Sequence, residues 1–236
     1  MTQLPEAVLL DLDDTILDDA GCVDACWADA CAEAERLIAG LQAAALREAI
    51  DARASWFWSH PERHRRGRLN LREATGEIVA YALEQLGYAD PGAAHRIANH
   101  YRDLREERAC LFPGALETIK ELCRRGVRLG MMTNGAAAAQ RAKIERFGLA
   151  PHFGCIVIEG EFGVGKPHRS VFERLLAELE ARPERTWAAG DNLEWDVAAP
   201  QSLGIFGIWV DGAGKGLPAG SPYRPDRVIR RLAELL

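Results

Sequence analysis

The chain has 236 residues, 48% of them hydrophobic, and a net charge of −6. That length holds one large domain or a core with a smaller insertion, and the apolar share suffices for a sizeable core. The acidic balance excludes nucleic acid as the main partner, which would need a basic surface, and no apolar run is long enough to span a bilayer.

The N-terminus runs straight into a strand-like segment with no signal-peptide pattern. The cysteines, Cys22, Cys26, Cys31, Cys110, Cys123 and Cys155, form no C-x-x-C pair. Their apolar or helical neighbourhoods predict buried, reduced thiols and a cytoplasmic location. Cys22 and Cys26 have helical spacing, but no other pair completes a tetrahedral metal set.

Residues 7–10 are a continuous apolar run ending in an acidic cluster. Continuous rather than alternating apolarity suits a central parallel strand covered on both faces. Residues 21–111 then read as helices only, over 23–46, 47–58, 71–86 and 92–106. From Pro113-Gly114 onward the chain alternates. Strands are predicted at 127–132, 155–158, 186–189 and 205–210, with a weaker one at 227–229. Helices are predicted at 114–125, 136–147, 170–180 and 196–202. Alternation of this kind means βαβ units and a parallel sheet. The expected organisation is an α/β core from 1–20 and 112–236, split by an all-helical insertion at 21–111. Residues 211–225 are rich in Gly and Pro and predict a surface loop.

Polar clusters follow four of the strands. The first is Asp11-Leu12-Asp13-Asp14-Thr15. Carboxylates at i and i+2 beyond a buried strand are costly to hold together without a cation or a shared proton. The carboxyl ends of strands in an open α/β sheet are also where ligands bind. An acidic helix-capping turn is the competing reading. The second cluster, Thr133-Asn134-Gly135, has a hydroxyl, an amide and a permissive backbone suited to phosphate beside a helix N-terminus, or to an ordinary Asn-Gly turn. The third is Gly163-Val164-Gly165-Lys166-Pro167. Its constrained lysine suits a bridge between a carboxylate and a phosphoryl oxygen, or is simply solvated. The fourth is Gly190-Asp191-Asn192-Leu193-Glu194-Trp195-Asp196, in which Asp196 has a competing reading as a helix N-cap. Asp191 with Asp11 and Asp13 makes a hard, all-oxygen site that favours Mg²⁺ over Zn²⁺.

Taken jointly, Asp11-x-Asp13-x-Thr15, Thr133 with Asn134-Gly135, Lys166-Pro167 and Gly190-Asp191 with Asp196 resemble the haloacid dehalogenase-like (HAD) hydrolase superfamily. The resemblance covers essentially the whole core. It implies a Rossmann-like parallel sheet with an inserted all-helical cap domain after the first motif. It implies Asp11 as nucleophile and Asp13 as general acid/base with its backbone carbonyl on the metal. Thr133 and Lys166 resemble the phosphoryl-binding pair, with Asn134 beside them. Asp191 resembles a metal ligand, and Asp196 a group behind it that orients water or Lys166. Many relatives continue Lys-Pro with Asp-Pro, where this chain has His168-Arg169. No catalytic group is lost by that departure.

Asp13 points to the phosphatase branch. Displacing halide needs no proton donor, whereas an alkoxide leaving group does. The expected reaction is Mg²⁺-dependent hydrolysis of a small phosphorylated metabolite through an aspartyl-phosphate. For Asp13 to begin as an acid, nearby carboxylates should favour its protonated form. A phosphomutase or a phosphonate hydrolase of the same fold is the alternative. From another class, a phospho-acceptor signalling module shares the residue types but is shorter and has no cap. Residues 60–68 read as a cation-dense turn that either contacts the leaving group or is solvated. Trp27, Trp56 and Trp58 read as packing between cap helices. The physiological substrate and the oligomeric state are not legible.

Overall fold

A computed structural model describes residues 4–236, so positions 1–3 of the expected first core segment lie outside the described residues. Strand β1 (Ala7–Leu10) is followed by a short β2 (Leu17–Asp18). Helices α1 (Val23–Leu37), α2 (Ala43–Trp58), α3 (Pro61–Leu69), α4 (Leu71–Gln85) and α5 (Pro91–Arg108) come next. Strand β3 (Cys110–Leu111) returns antiparallel to β2. The chain then alternates through α6 (Ala115–Arg124), β4 (Arg128–Thr133), α7 (Ala137–Arg146) and β5 (Cys155–Ile158). It continues through α8 (Glu159–Phe162), α9 (Arg169–Glu178), β6 (Thr186–Gly190), a π-helical turn (Leu193–Ala198) and α10 (Ala199–Gln201). Strands β7 (Phe206–Val210) and β8 (Arg227–Ile229) complete it. No helix among the described residues is long and apolar enough to cross a membrane.

Two compact units result, one from the described residues up to 18 together with 110–236, the other from 19–109. In the first, the sheet has six strands in the order β5-β4-β1-β6-β7-β8, all parallel. The run Ala-Val-Leu-Leu at β1 is fully buried because both faces are covered. Val8 and Leu10 pack with Ile119, Leu122 and Met131 on one side. Ala7 and Leu9 pack with Phe172 and Leu175 on the other. Burying a Leu or Phe side chain is worth about 1.5–3 kcal/mol, so this double layer holds β1 firmly. The chain passes from β1 to β4 and β5 on one side and then crosses back from β5 to β6 on the other side of β1, which opens a crevice at the carboxyl end of β1. The register aligns Leu10 with Met131 and Ala189, so the ends of β1, β4 and β6 meet at one edge.

The second unit is all helical, with its own core of Trp27, Leu46, Ile50, Phe57, Ile78, Val79 and Tyr101 among others. Trp27 stacks on Tyr101, with ring centroids 3.6 Å apart and planes 9° from parallel. Asp90 caps α5 by accepting from the amides of Gly92 and Ala93, with Pro91 at the first helical position.

Several expectations are corrected here. The helix read over 23–46 ends at Leu37, because Gly40 takes a left-handed φ of 84° and reverses the chain before α2. The cation-dense segment at 60–68 is the helix α3, started by Pro61, rather than a turn. Much of its charge is engaged locally. Arg63 donates to the carbonyl oxygens of Trp56 and Phe57, and Arg66 pairs with Glu77 at 2.7 Å. Trp56 does not pack inward; it is half exposed, with Arg53 and Arg63 over its ring. Cys110 is exposed rather than buried.

Candidate functional site

Asp11 is the first residue beyond β1. Its amide donates to the carbonyl of Ala189 at 3.0 Å, which anchors it to β6. The chain then turns tightly: the amides of Ile16 and Leu17 both donate to Leu12 O at 2.9 Å, and Asp14 takes a φ of 57°. A left-handed non-glycine residue is uncommon and marks a tightly determined turn. The turn brings Thr15 over Asp11, and its hydroxyl donates to Asp11 Oδ2 at 3.2 Å.

Lys166 lies between two carboxylates. Its Nζ is 2.6 Å from Asp11 Oδ1 and 2.6 Å from Asp196 Oδ1, and all three side chains are nearly inaccessible to solvent. Burial opposes the charge on Lys166, but Asp11 and Asp196 outweigh it and hold its pKa above the ordinary value. The loop carrying Lys166 is fixed by Asn134. The Asn134 amide donates to Lys166 O at 2.8 Å, and the Lys166 amide donates to Asn134 Oδ1 at 2.7 Å. Asn134, expected beside the phosphoryl site, therefore has its side chain engaged by main chain and acts as a clamp.

Asp196 sits in the π-helical turn after β6. Its Oδ2 accepts from the Asn192 amide at 3.0 Å. The N-cap is Asn192, whose Oδ1 accepts from the amides of Glu194 and Trp195, so the capping reading of Asp196 is set aside. A Cβ on Gly190 would overlap the Asp196 carboxyl, so only glycine at the end of β6 admits it. Asp191 is anchored through its carbonyl, which accepts from the Trp209 indole at 2.8 Å.

Asp11, Asp191 and Asp196 each offer a carboxylate oxygen, all within 4.8 Å of one another. Among the described residues, Lys166 is the one ammonium paired with this group, through Asp11 and Asp196, so the three carboxylates when ionised carry two more negative charges than it offsets. Burial pushes Asp11 well above the ordinary carboxylate range, and Asp196 and Asp191 add to the shift while Lys166 opposes it. The Asp191 carboxyl, open to solvent on one edge, is pushed up to about 7 by loss of surrounding water and by Asp196 and Asp14. Protons or a divalent cation would offset that excess charge. A set of carboxylate donors without sulfur or imidazole fits a hard cation such as Mg²⁺.

Asp13 points elsewhere. Its carboxylate accepts from Lys143 Nζ at 2.7 Å and from Gln140 Nε2 at 2.8 Å, both on α7. The expected carboxylate surroundings of Asp13 are thus replaced by a cation and an amide. Gln140 also donates to Thr133 Oγ1 at 2.5 Å, which ties the first and second clusters together. Glu159, buried after β5, accepts from the Gly135 amide at 3.1 Å and shapes the turn behind Asn134. Sequence reasoning missed Gln140, Lys143, Glu159 and Trp209. The only available signal was the three-residue spacing of Gln140 and Lys143, which places them on one face of α7. His168 is exposed and contacts Ser170, away from the cluster.

The model of the haloacid dehalogenase-like hydrolase family matches residues 5–204. A phosphoserine phosphatase of Thermus thermophilus is 32% identical over 97% of this chain and 96% of its own length. A ribulose-1,5-bisphosphate 5-phosphatase of Halopiger xanaduensis is 30% identical over 87% of this chain and 84% of its own. The magnesium-bound crystal structure of the HAD-hydrolase YfnB from Bacillus subtilis superposes with a TM-score of 0.71 at 25% identity, covering 99% of this chain and 97% of that one. A six-stranded parallel sheet, an acidic cluster at its carboxyl edge and a match over most of the sequence agree: the chain belongs to the haloacid dehalogenase-like hydrolase family.

Proposed function

We propose that the chain is a phosphatase that hydrolyses a small phosphomonoester through a phosphoryl adduct on Asp11. The observation that carries this reading is the buried Asp11–Lys166–Asp196 array beside Asp191 at the carboxyl edge of β1 and β6. It supplies a carboxylate nucleophile, a fixed ammonium for a phosphoryl oxygen, and donors for a divalent cation. The naming of the Thermus and Halopiger relatives as phosphatases makes phosphoserine and phosphorylated sugars the first substrates to try.

Asp11 and Asp191, with the main-chain carbonyl of Asp13, would hold Mg²⁺, and Asp196 flanks them. The cation would supply charge neutralisation for the phosphate oxygens. Lys166 does the same from the protein side, and Asp196 keeps it charged and aimed. An Asp11 oxygen forms the bond to phosphorus as the ester oxygen leaves, and that oxygen takes a proton from Asp13. Water then attacks the same phosphorus and gives its proton to Asp13, while the bond to Asp11 breaks and phosphate departs. Dividing the displacement in this way replaces one difficult step with two easier ones. Thr133, turned by Gln140, and Lys166 are the phosphoryl-binding pair in this scheme. Asp13 must leave Lys143 and Gln140 to reach the ester oxygen, so α7 holds the acid/base in reserve. Retention of Asp13 separates this scheme from halide displacement, which needs no proton donor.

The test is phosphate release from a panel of phosphomonoesters with Mg²⁺ and with chelator. Mg²⁺-dependent release that is lost in Asp11→Asn supports the reading. Release that persists in Asp11→Asn contradicts it.

A further inference from the structure

A cavity of about 460 Å³ lies in the sheet-bearing unit beside Arg128, the first residue of β4. From there β4 carries the chain to Thr133 at the carboxyl edge, roughly 17 Å away at about 3.3 Å per residue. The cavity is therefore at the opposite edge of the sheet from Asp11, Asp191 and Asp196. Val127 and Leu179, both almost fully buried, form its apolar wall. The C-terminal ends of α6 and α9 border it through Gly126 and Glu178, and each adds partial negative charge.

Two opposite charges line this cavity without pairing to each other. The Glu180 carboxylate makes no hydrogen bond or ion pair among the described residues. Glu180 also closes α9 in a left-handed conformation, with a φ of 49°, where glycine is the favourable residue. Arg128 donates to the Glu180 carbonyl at 3.0 Å. Its carboxylate partner is Glu6 at 3.6 Å, which Arg182 and Arg185 share. Glu178 pairs with Arg174 at 3.0 Å, and the His152 imidazole has no partner among the described residues. One wall thus holds a guanidinium short of negative charge beside an unpaired carboxylate in an unfavourable backbone position.

A simple anion or a simple cation would satisfy one of these charges and leave the other. A zwitterion satisfies both. An α-amino acid offers a carboxylate to the planar fork of Arg128. Its ammonium, with three donors and no acceptor, suits Glu180 and the two helix ends. The cavity is also of the size usual for small-molecule sites. We propose that it binds a free amino acid with a short apolar side chain, which rests on Val127 and Leu179.

The experiment titrates the full chain with L-valine by calorimetry. Isobutylamine, which lacks the carboxylate, and isovalerate, which lacks the ammonium, are the matched controls. The native chain is expected to bind valine, and each control about tenfold more weakly. Glu180→Gly and Glu180→Gln should both weaken valine binding by about tenfold or abolish it. Glycine suits the left-handed position, so Glu180→Gly should keep or raise the melting temperature, and Glu180→Gln removes the charge while keeping the side chain. Asp191→Asn should bind valine like the native chain, because the acidic cluster is at the other edge of the sheet. No binding by the native chain, equal binding by both Glu180 variants, a control binding as tightly as valine, or loss of binding in Asp191→Asn would overturn the proposal. None of these readouts uses phosphatase activity, so the outcome is independent of that reading.

Discussion

The ammonium of Lys166 is 2.6 Å from Asp196, a carboxylate that is itself almost completely buried. In the proposed reaction Asp196 would hold Lys166 in place while Asp11 carries the phosphoryl group. Asp196→Asn keeps a hydrogen bond but removes the charge. It should lower kcat by about 10²-fold, in the range usual for losing one preorganised electrostatic partner, with a smaller change in KM. Steady-state kinetics on p-nitrophenyl phosphate checks this; an unchanged kcat would show that Lys166 needs Asp11 alone.

Asn134 joins the second and third clusters through two hydrogen bonds to the backbone of Lys166. Asn134→Ala leaves a backbone amide and carbonyl unmatched, at a cost of about 1–3 kcal/mol. Chemical denaturation should detect that loss. Activity should fall for every phosphomonoester alike, because the clamp positions Lys166 and does not read the leaving group. A selective loss on one substrate would restore the expectation that Asn134 contacts it.

Stability of the metal-free chain should depend on pH. The Asp191 carboxyl lies at about 7 in the folded chain, against about 3.9 when unfolded. Asp11 is shifted in the same direction. Between those values the folded state binds more protons than the unfolded state, so their contribution is full below pH 4 and is lost as pH rises through 7. Mg²⁺ competes with those protons. Its effect on melting temperature should therefore grow from pH 5 to pH 8, and Asp191→Asn should reduce that growth. Equal Mg²⁺ shifts at the two pH values would contradict the acidic cluster as the cation site.

Ca²⁺ should bind the chain yet support little turnover. It accepts more ligands at longer distances than Mg²⁺, so it can engage both oxygens of Asp11 and hinder attack. The measurement is thermal stabilisation by each cation alongside its rate. Zn²⁺ alone restoring activity after chelation would reject the all-oxygen assignment.

The parallel sheet was legible because β1 is a continuous apolar run, and such runs are stable only when covered on both faces. Asp11, Asp191 and Asp196 were legible because each follows the end of such a strand. The contact of Asp13 with Lys143 joins residues 130 positions apart. No local pattern encodes it, since a lysine on an amphipathic helix looks the same whether or not a carboxylate faces it. The clamp by Asn134 was hidden for a similar reason: Asn-Gly signals a turn, and its partner is the backbone of a loop 32 residues away. The break before α2 depended on one glycine in a segment otherwise favourable to helix.

The central claim is that Asp11 carries the phosphoryl group and that Asp13 moves the protons. Asp13→Asn separates the two roles when p-nitrophenyl phosphate is the substrate, because nitrophenolate leaves without a proton. Rapid mixing should give a burst of nitrophenolate near one equivalent. Slow turnover should follow, reduced by about 10²–10⁴ through loss of the base. Acid-quenched protein should carry one phosphoryl group on the peptide containing Asp11, seen by mass spectrometry. No burst and no phosphoryl adduct, with equal losses on alkyl and aryl phosphates, would contradict the account.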